Sequence, residues 1–257
     1  MNTSVNNKHQ DYHNQPRRLV AMENRWPAGA STGWHSHPRG QLLYAIKGVM
    51  IVQSDAGTWV VPPTRALWMV TGLRHNVTMS GEVEMRTAYI DVHAATGLPT
   101  QTCVINVSPL LKELLVEAVR IPVHAKPTPR HERVIDLLLD ELSVSSTIAL
   151  HLPMPNDTRI KTVCETLTKQ PWDNKTAAMW AAKIGMSERT LHRLFVQDTG
   201  MRFSQWREQA RLLNALSQIA EGKKGIEIAL NCGYTSHSAF SAMFRRHFGV
   251  TPSDFYK

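Results

Sequence analysis

The feature that most constrains this chain of 257 residues is a repeat inside its last hundred. Set against itself with an offset of 49, the segment places Leu191, Leu194, Phe195, Gly200, Ser204 and Trp206 over Phe240, Met243, Phe244, Gly249, Ser253 and Phe255. Ser187 falls on Ser236. Upstream of a turn the offset becomes 48, pairing Ala181 with Ala229 and Gly185 with Gly233, and the second copy carries one extra turn residue, Thr235. Each copy reads as a helix, a tight glycine turn and a serine-capped second helix: Thr176–Lys183, Gly185 and Ser187 to Asp198, then Gly225–Asn231, Gly233 and Ser236–His247. That order is the grammar of a helix-turn-helix, whose second helix can enter a major groove.

The segment between the copies predicts one long helix. Phe203, Trp206, Ala210, Leu213, Leu216 and Ala220 make an apolar stripe, with Arg207 and Arg211 on another face. Roughly 19 residues at about 1.5 Å each span about 28 Å, against a groove recurrence of about 34 Å on B-DNA. Such a rod suits two reading helices entering successive groove segments. Charge agrees. Of the formal net charge of +8, residues 155–257 carry +6, which points to a polyanion partner.

Upstream the pattern is different. Residues 19–107 read as short strands, Gln41–Lys47, Met50–Gln53, Thr58–Val61, Ala66–Val70 and Glu84–Val92, divided by turn residues at Gly48, 55–57, 62–63, 71–72 and 80–81. Strands without intervening helices imply an antiparallel sandwich or small barrel. Ser108 caps a helix expected over Pro109–Arg120, with Leu111, Leu114, Leu115 and Ala118 on one face. A second is expected from about Arg130 to Ser143, with Val134, Leu137, Leu138 and Glu141 in line. Ser143–Asp157, with Pro153 and Pro155, reads as the linker. The polar residues 1–18 read as a flexible tail without the apolar centre of a signal peptide. No apolar run approaches about 18 residues, so no spanning helix is expected. Three separated cysteines, Cys103, Cys164 and Cys232, form neither a disulfide framework nor a zinc motif, and a reduced, cytoplasmic protein is expected.

Gly233-Tyr234-Thr235-Ser236-His237-Ser238-Ala239-Phe240-Ser241-Ala242-Met243-Phe244-Arg245-Arg246-His247-Phe248-Gly249-Val250-Thr251-Pro252 closely resembles the signature of AraC/XylS-type transcription regulators, a resemblance covering about residues 158–257. It implies promoter DNA as partner, transcriptional control by activation of nearby genes, contact with RNA polymerase and a homodimer. By position, Arg189, His192 and Arg193 face the DNA on the first reading helix. His237, Ser238 and Ser241 do so on the second, with Arg245 suited to phosphate. Ala242 stands where many relatives place a polar reader, and Glu188, at its helix N-terminus, reads as structural. Leu191, Phe195, Phe240, Phe244 and Phe248 read as core.

In the N-terminal half, Gly33-Trp34-His35-Ser36-His37-Pro38-Arg39-Gly40-Gln41 and the later Gly72-Leu73-Arg74-His75 resemble the cupin pattern, in which two histidines, a carboxylate and a later histidine converge in a small barrel. His35 and His37, two apart in a strand, would project together. Gln41 replaces the carboxylate and brings no charge. Three histidines could hold zinc, nickel or iron, or could hydrogen-bond a small effector. Tyr44 and Trp68, with Trp34 and Trp59, are candidates to line that pocket. The expected fold is therefore α+β: a cupin-like barrel over 19–107, a helical dimerisation segment and linker over 108–150, and a DNA-binding domain over 155–257. Its units are expected at about 176–198, 203–221 and 225–247. The leading function is a DNA-binding regulator, not an enzyme, responding to a small effector in the barrel. The rivals are a metal-sensing regulator, a metal-dependent cupin oxygenase or isomerase fused to the DNA-binding module, and a constitutive DNA-binding protein whose barrel only dimerises.

Overall fold

Alternating apolar residues make the N-terminal half a sheet, and their phase decides which side chains meet. In the computed structural model, Tyr12 and residues 15–93, 96–148 and 150–255 are described. They fall into two units by contact: Met1–Ser54 with Val61–Ala149, and Asp55–Val60 with Leu150–Lys257.

The first unit holds β1 (Leu19–Trp26), β2 (Gly40–Ser54), β4 (Arg65–Met69), β5 (His75–Ile90), β6 (Cys103–Asn106) and β7 (Thr147–Ile148). They pair in the order β1-β5-β2-β4-β6-β7, and each pairing whose register is resolved is antiparallel. Among the described residues no pairing joins β1 to β7, so the expected barrel is an open, cupin-like sheet. One face carries Leu19, Ala21, Leu42, Tyr44, Ala66, Trp68, Ala88, Ile90 and Ile105 into a core with α1 (Pro109–Val119) and α2 (Pro129–Val144). The opposite face turns Val20, Met22 and Tyr89 together.

Two turns expected inside this region are absent. β2 runs through Gly48 and β5 through Ser80-Gly81, with register shifts between Ala45 and Val49. A glycine here marks a bulge. Gly48 sits at φ 81°, and a Cβ on it would strike the carbonyl oxygen of Glu82 on the neighbouring strand. The second helix is offset by one position from its expected phase: Ile135, Leu138, Leu139 and Leu142 are buried, whereas Leu137 is exposed. Glu141 instead accepts a 2.6 Å hydrogen bond from the Ser108 hydroxyl. Most of the tail expected over 1–18 lies outside the described residues. Its end is anchored: Arg18 pairs with Glu132 at 2.9 Å and Asp136 at 2.7 Å on α2.

The second unit is helical apart from one strand pair, β3 (Gly57–Val61) with β8 (His151–Pro153). The expected linker Ser143–Asp157 therefore contains β7 and β8, strands of two and three residues whose alternation is too short to read. The helices are α3 (Thr158–Lys169), α4 (Ala177–Lys183), α5 (Glu188–Thr199), α6 (Phe203–Ala220), α7 (Gly225–Asn231) and α8 (His237–Phe248). Asp157 caps α3 by accepting from the amides of Arg159 and Ile160. The apolar stripe predicts an amphipathic α6, but its buried residues run nearly all round, including Gln209, Leu212, Ala215, Ser217 and Gln218. It is the central post of the unit, touched by α3, α5, α7 and β8.

Candidate functional site

The two halves of the repeat are built alike. α4 and α7 are each 7 residues long, and α5 and α8 are each 12. Ser187 accepts from the Thr190 amide and Ser236 from the Ala239 amide, and left-handed Gly200 and Gly249 close the two longer helices. Leu191 and Phe195 are buried on α5, as are Phe240, Met243 and Phe244 on α8, while Phe248 is half-buried against Phe244 and Phe255. The copies differ at one end. Thr176 caps α4 with its hydroxyl, whereas Lys224 at the start of α7 makes no side-chain cap.

Burying those positions leaves one face of each reading helix free. On α5, Arg189, His192 and Arg193 are exposed. Arg193 donates to the Gln197 side chain at 3.2 Å, and His192 lies 3.5 Å from Glu188. On α8, His237, Ser238, Ala242 and Arg245 are exposed and Ser241 is half-buried. His237 leans towards its own unit, with Nε2 3.5 Å from the Ser241 hydroxyl and its ring against Gly225. Arg189 and Arg193 on α5 and Arg245 on α8 are the exposed arginines among these candidates.

Sequence reasoning missed the residues that fix these helices. Arg211, expected on a free face of the long helix, is only 9% exposed. Its guanidinium donates to the carbonyls of Pro171 (2.9 Å) and Asp173 (3.3 Å) and to the Asn174 side chain (2.7 Å). It also occupies the space that a Cβ on Gly233 would need, so the α7–α8 turn closes on it. Glu208 accepts from Arg246 at 2.6 Å and pairs with His247 at 2.8 Å, tying α8 to α6. Burial pushes the Glu208 carboxyl up, but the hydrogen bonds with His247 and Arg246 outweigh it and hold the group below the usual range. Neither residue lies in the apolar stripe, so the periodicity of the helix carried no signal for either.

In the first unit the three histidines converge. The segment preceding β2 runs beside the start of β5, with His35 N donating to His75 O at 3.0 Å and His75 N to His35 O at 2.8 Å. His35 thus sits in an isolated bridge, not the regular strand expected, and His37 follows it outside any strand. Ring centroids lie 4.7 Å apart for His35–His37, 4.4 Å for His35–His75 and 5.5 Å for His37–His75. The ring of His37 lies edge-on to Tyr89 at 5.0 Å, and Tyr89 is the cross-strand partner of Gln41. Burial holds the His75 imidazole down, at about 4, so it is neutral near pH 7.

The aromatic candidates do not join this group. Tyr44 and Trp68 belong to the opposite sheet face, packed among the helices, because Leu42 and Tyr44 alternate with Gln41 and Leu43 along β2. Trp68 donates its indole N–H to the carbonyl of Pro99 at 2.8 Å. Trp34 is exposed beneath the Arg74 guanidinium, and Trp59 stacks on His151 in the second unit. Of the candidate pocket residues, the structure therefore brings His35, His37 and His75 together beside Tyr89, the cross-strand partner of Gln41, and leaves Tyr44 and Trp68 on the other face of the sheet.

Residues 180–257 match the family described as Helix-turn-helix domain, and residues 25–149 match the AraC-like ligand binding domain. Over 218 residues the chain is 34% identical to the HTH-type transcriptional regulator NimR of Escherichia coli, covering 85% of this chain and 80% of that protein. The virulence regulon transcriptional activator VirF of Yersinia enterocolitica is 28% identical over 171 residues, covering 63% of this chain and 62% of that one. The solved structure of ToxT from Vibrio cholerae covers 93% of this chain and 98% of its own, at 12% identity and a TM-score of 0.39. With two matched helix-turn-helix units behind an AraC-like ligand-binding domain, the chain belongs to the AraC/XylS family of DNA-binding transcription regulators.

Proposed function

We propose that this regulator acts as a homodimeric, cytoplasmic activator that reads a bipartite promoter site with α5 and α8 of each chain. Its N-terminal unit binds an effector and catalyses no reaction of its own. The observation that carries the reading is the matched construction of the two helices: equal length, equal caps, and one face of each left exposed. Arg189 and Arg193 are suited to bidentate contacts with guanine, His192 to a less selective contact, and Arg245 to a phosphate. His237, Ser238 and Ser241 contribute position more than discrimination, since His237 is already turned towards Gly225. α6, at 18 residues about 27 Å long, is the rod that spaces the two helices. The exposed Leu110, Leu137 and Val144 on the helical pair of the first unit suit a dimer contact. Activation, through contact with RNA polymerase, is supported by the name VirF carries, and effector binding shifts the population of DNA-competent dimers.

The test begins with selection of bound sequences from a random DNA pool by the full chain. On the selected site Arg193→Ala costs about 1–3 kcal/mol, with a far smaller loss on random DNA. Equal losses on both, or a footprint covering one groove segment per chain, would refute the assignment.

A further inference from the structure

We propose that His35, His37 and His75 form a site for one first-row transition-metal dication, with the side-chain oxygen of Gln41 as a neutral fourth group. The proposal deepens the effector reading above and rests on it, because the site lies in the unit assigned to the effector.

Geometry comes first. One ring nitrogen from each histidine lies within 4.8 Å of the others. Tetrahedral bonds of about 2.0–2.1 Å place ligand nitrogens about 3.3 Å apart, so each imidazole has to move inward by about 1 Å or less. The backbone under the rings is fixed: His35 and His75 exchange a reciprocal pair of amide bonds, and the Gly72 amide donates to His37 O at 2.8 Å. The donors therefore stand on segments whose spacing is already set.

The tautomers are fixed as well. His35 Nδ1 lies 2.7 Å from the carbonyl of Gly33, and His75 Nδ1 lies 2.8 Å from that of Leu73. A carbonyl only accepts, so both Nδ1 atoms carry the hydrogen, and Nε2 is the nitrogen each ring can offer to a metal. This outer contact orients a histidine for metal ligation. His75 is 1% exposed, and its Nε2 has no hydrogen-bond partner among the described residues; the same holds for the Gln41 side-chain oxygen, at 4% exposure. A buried acceptor left unmatched is costly, and a bound cation would satisfy it.

The ligand chemistry selects the class of ion. Three imidazoles and an amide provide no carboxylate, which disfavours calcium and magnesium. Imidazole nitrogen suits zinc, copper, nickel, cobalt and iron.

The experiment uses the full chain, stripped with a chelator and dialysed against zinc alone, then cobalt alone. Metal content is read by elemental analysis and ligation by the visible spectrum of Co(II). The expected result is one ion per chain and cobalt bands of four- or five-coordinate nitrogen and oxygen ligation. His35→Ala, a substitution at a half-buried position, weakens uptake at least tenfold while its circular dichroism melt matches the parent. Sub-stoichiometric uptake, or equal uptake by the parent and by His35→Ala, overturns the site. DNA selection is run alongside without metal: retained selectivity with no metal uptake refutes this proposal and leaves the regulator reading standing. Metal uptake without DNA selectivity does the reverse.

Discussion

Replacing Arg211 by methionine keeps the stem and most of the volume but removes every donor, and the structure gives the size of the loss. The guanidinium makes two hydrogen bonds of good length, 2.9 Å to Pro171 O and 2.7 Å to Asn174 Oδ1, and a longer one of 3.3 Å to Asp173 O. A hydrogen bond to a charged donor contributes about 1.5–3 kcal/mol, so the two short ones together give about 3–6 kcal/mol. Against this, the variant no longer buries a cation, which returns a part of the sum. The net loss is about 2–3 kcal/mol, lodged where the loop before α4 and the turn at Gly233 both rest on α6. For a unit of roughly a hundred residues, 1 kcal/mol moves Tm by about 4–8 °C, so Arg211→Met lowers the melt of the second unit by about 8–24 °C. Circular dichroism at 222 nm follows this unit through its six helices. Arg211→Lys is expected to recover only a small part, because an ammonium cannot span three acceptors in one plane. A Tm shift below about 4 °C for Arg211→Met would refute the claim that these bonds lock the reading helices in place.

Three further outcomes are expected. Ser236→Ala and Ser187→Ala each remove a hydroxyl that caps a reading helix and cost about 1 kcal/mol in urea unfolding, with Ser→Gly milder at the same positions. Gly48→Ala places a side chain at φ 81° and into Glu82 O, so it destabilises the first unit by about 1–3 kcal/mol, seen as a lowered urea midpoint at unchanged slope. The Asp157 carboxyl is held at about 2, chiefly by its hydrogen bond with the Arg159 side chain and further by the two capped amides. A lowered native pKa gives stability that is complete above the ordinary carboxylate range and lost as pH falls from about 4 to about 2. Because the pair is partly solvated, this is worth about 1 kcal/mol, and the parent's advantage over Asp157→Asn in urea should shrink across that window.

What the sequence showed depended on how far each physical signal repeats. The helix-turn-helix pair was legible twice over, since Gly185 and Gly233, Ser187 and Ser236, and the paired aromatic positions occur in duplicate, and duplication separates signal from composition. The histidines were legible because His35, His37 and His75 are rare residues whose chemistry is the same wherever the backbone carries them. Their convergence nonetheless came from an irregular segment bridged to β5, not from the period-2 strand expected. Tyr44 and Trp68 failed for the opposite reason. An aromatic residue has the same composition signal on either face of a sheet, and a change of phase by one residue decides between the pocket and the helix-covered core.

The misreading of Arg211 has a more general cause. A stripe of apolar residues assigns one face to the core and leaves the remainder to solvent, which holds only for a helix covered on one side. α6 is surrounded by α3, α5, α7 and β8, so polar residues on its other faces, Gln209, Arg211, Ser217 and Gln218, are buried as well. Each then needs a partner from another segment: Arg211 finds Pro171 and Asn174 in the loop before α4, and Gln218 accepts at 2.8 Å from the side chain of Asn231 at the end of α7. Those bonds hold the loop before α4 and the end of α7 to one post, and Glu208 adds α8 through Arg246. A linker that only spaced the reading helices would need its apolar stripe and nothing else; the buried polar positions are what give the pair of helices a fixed geometry to present to DNA.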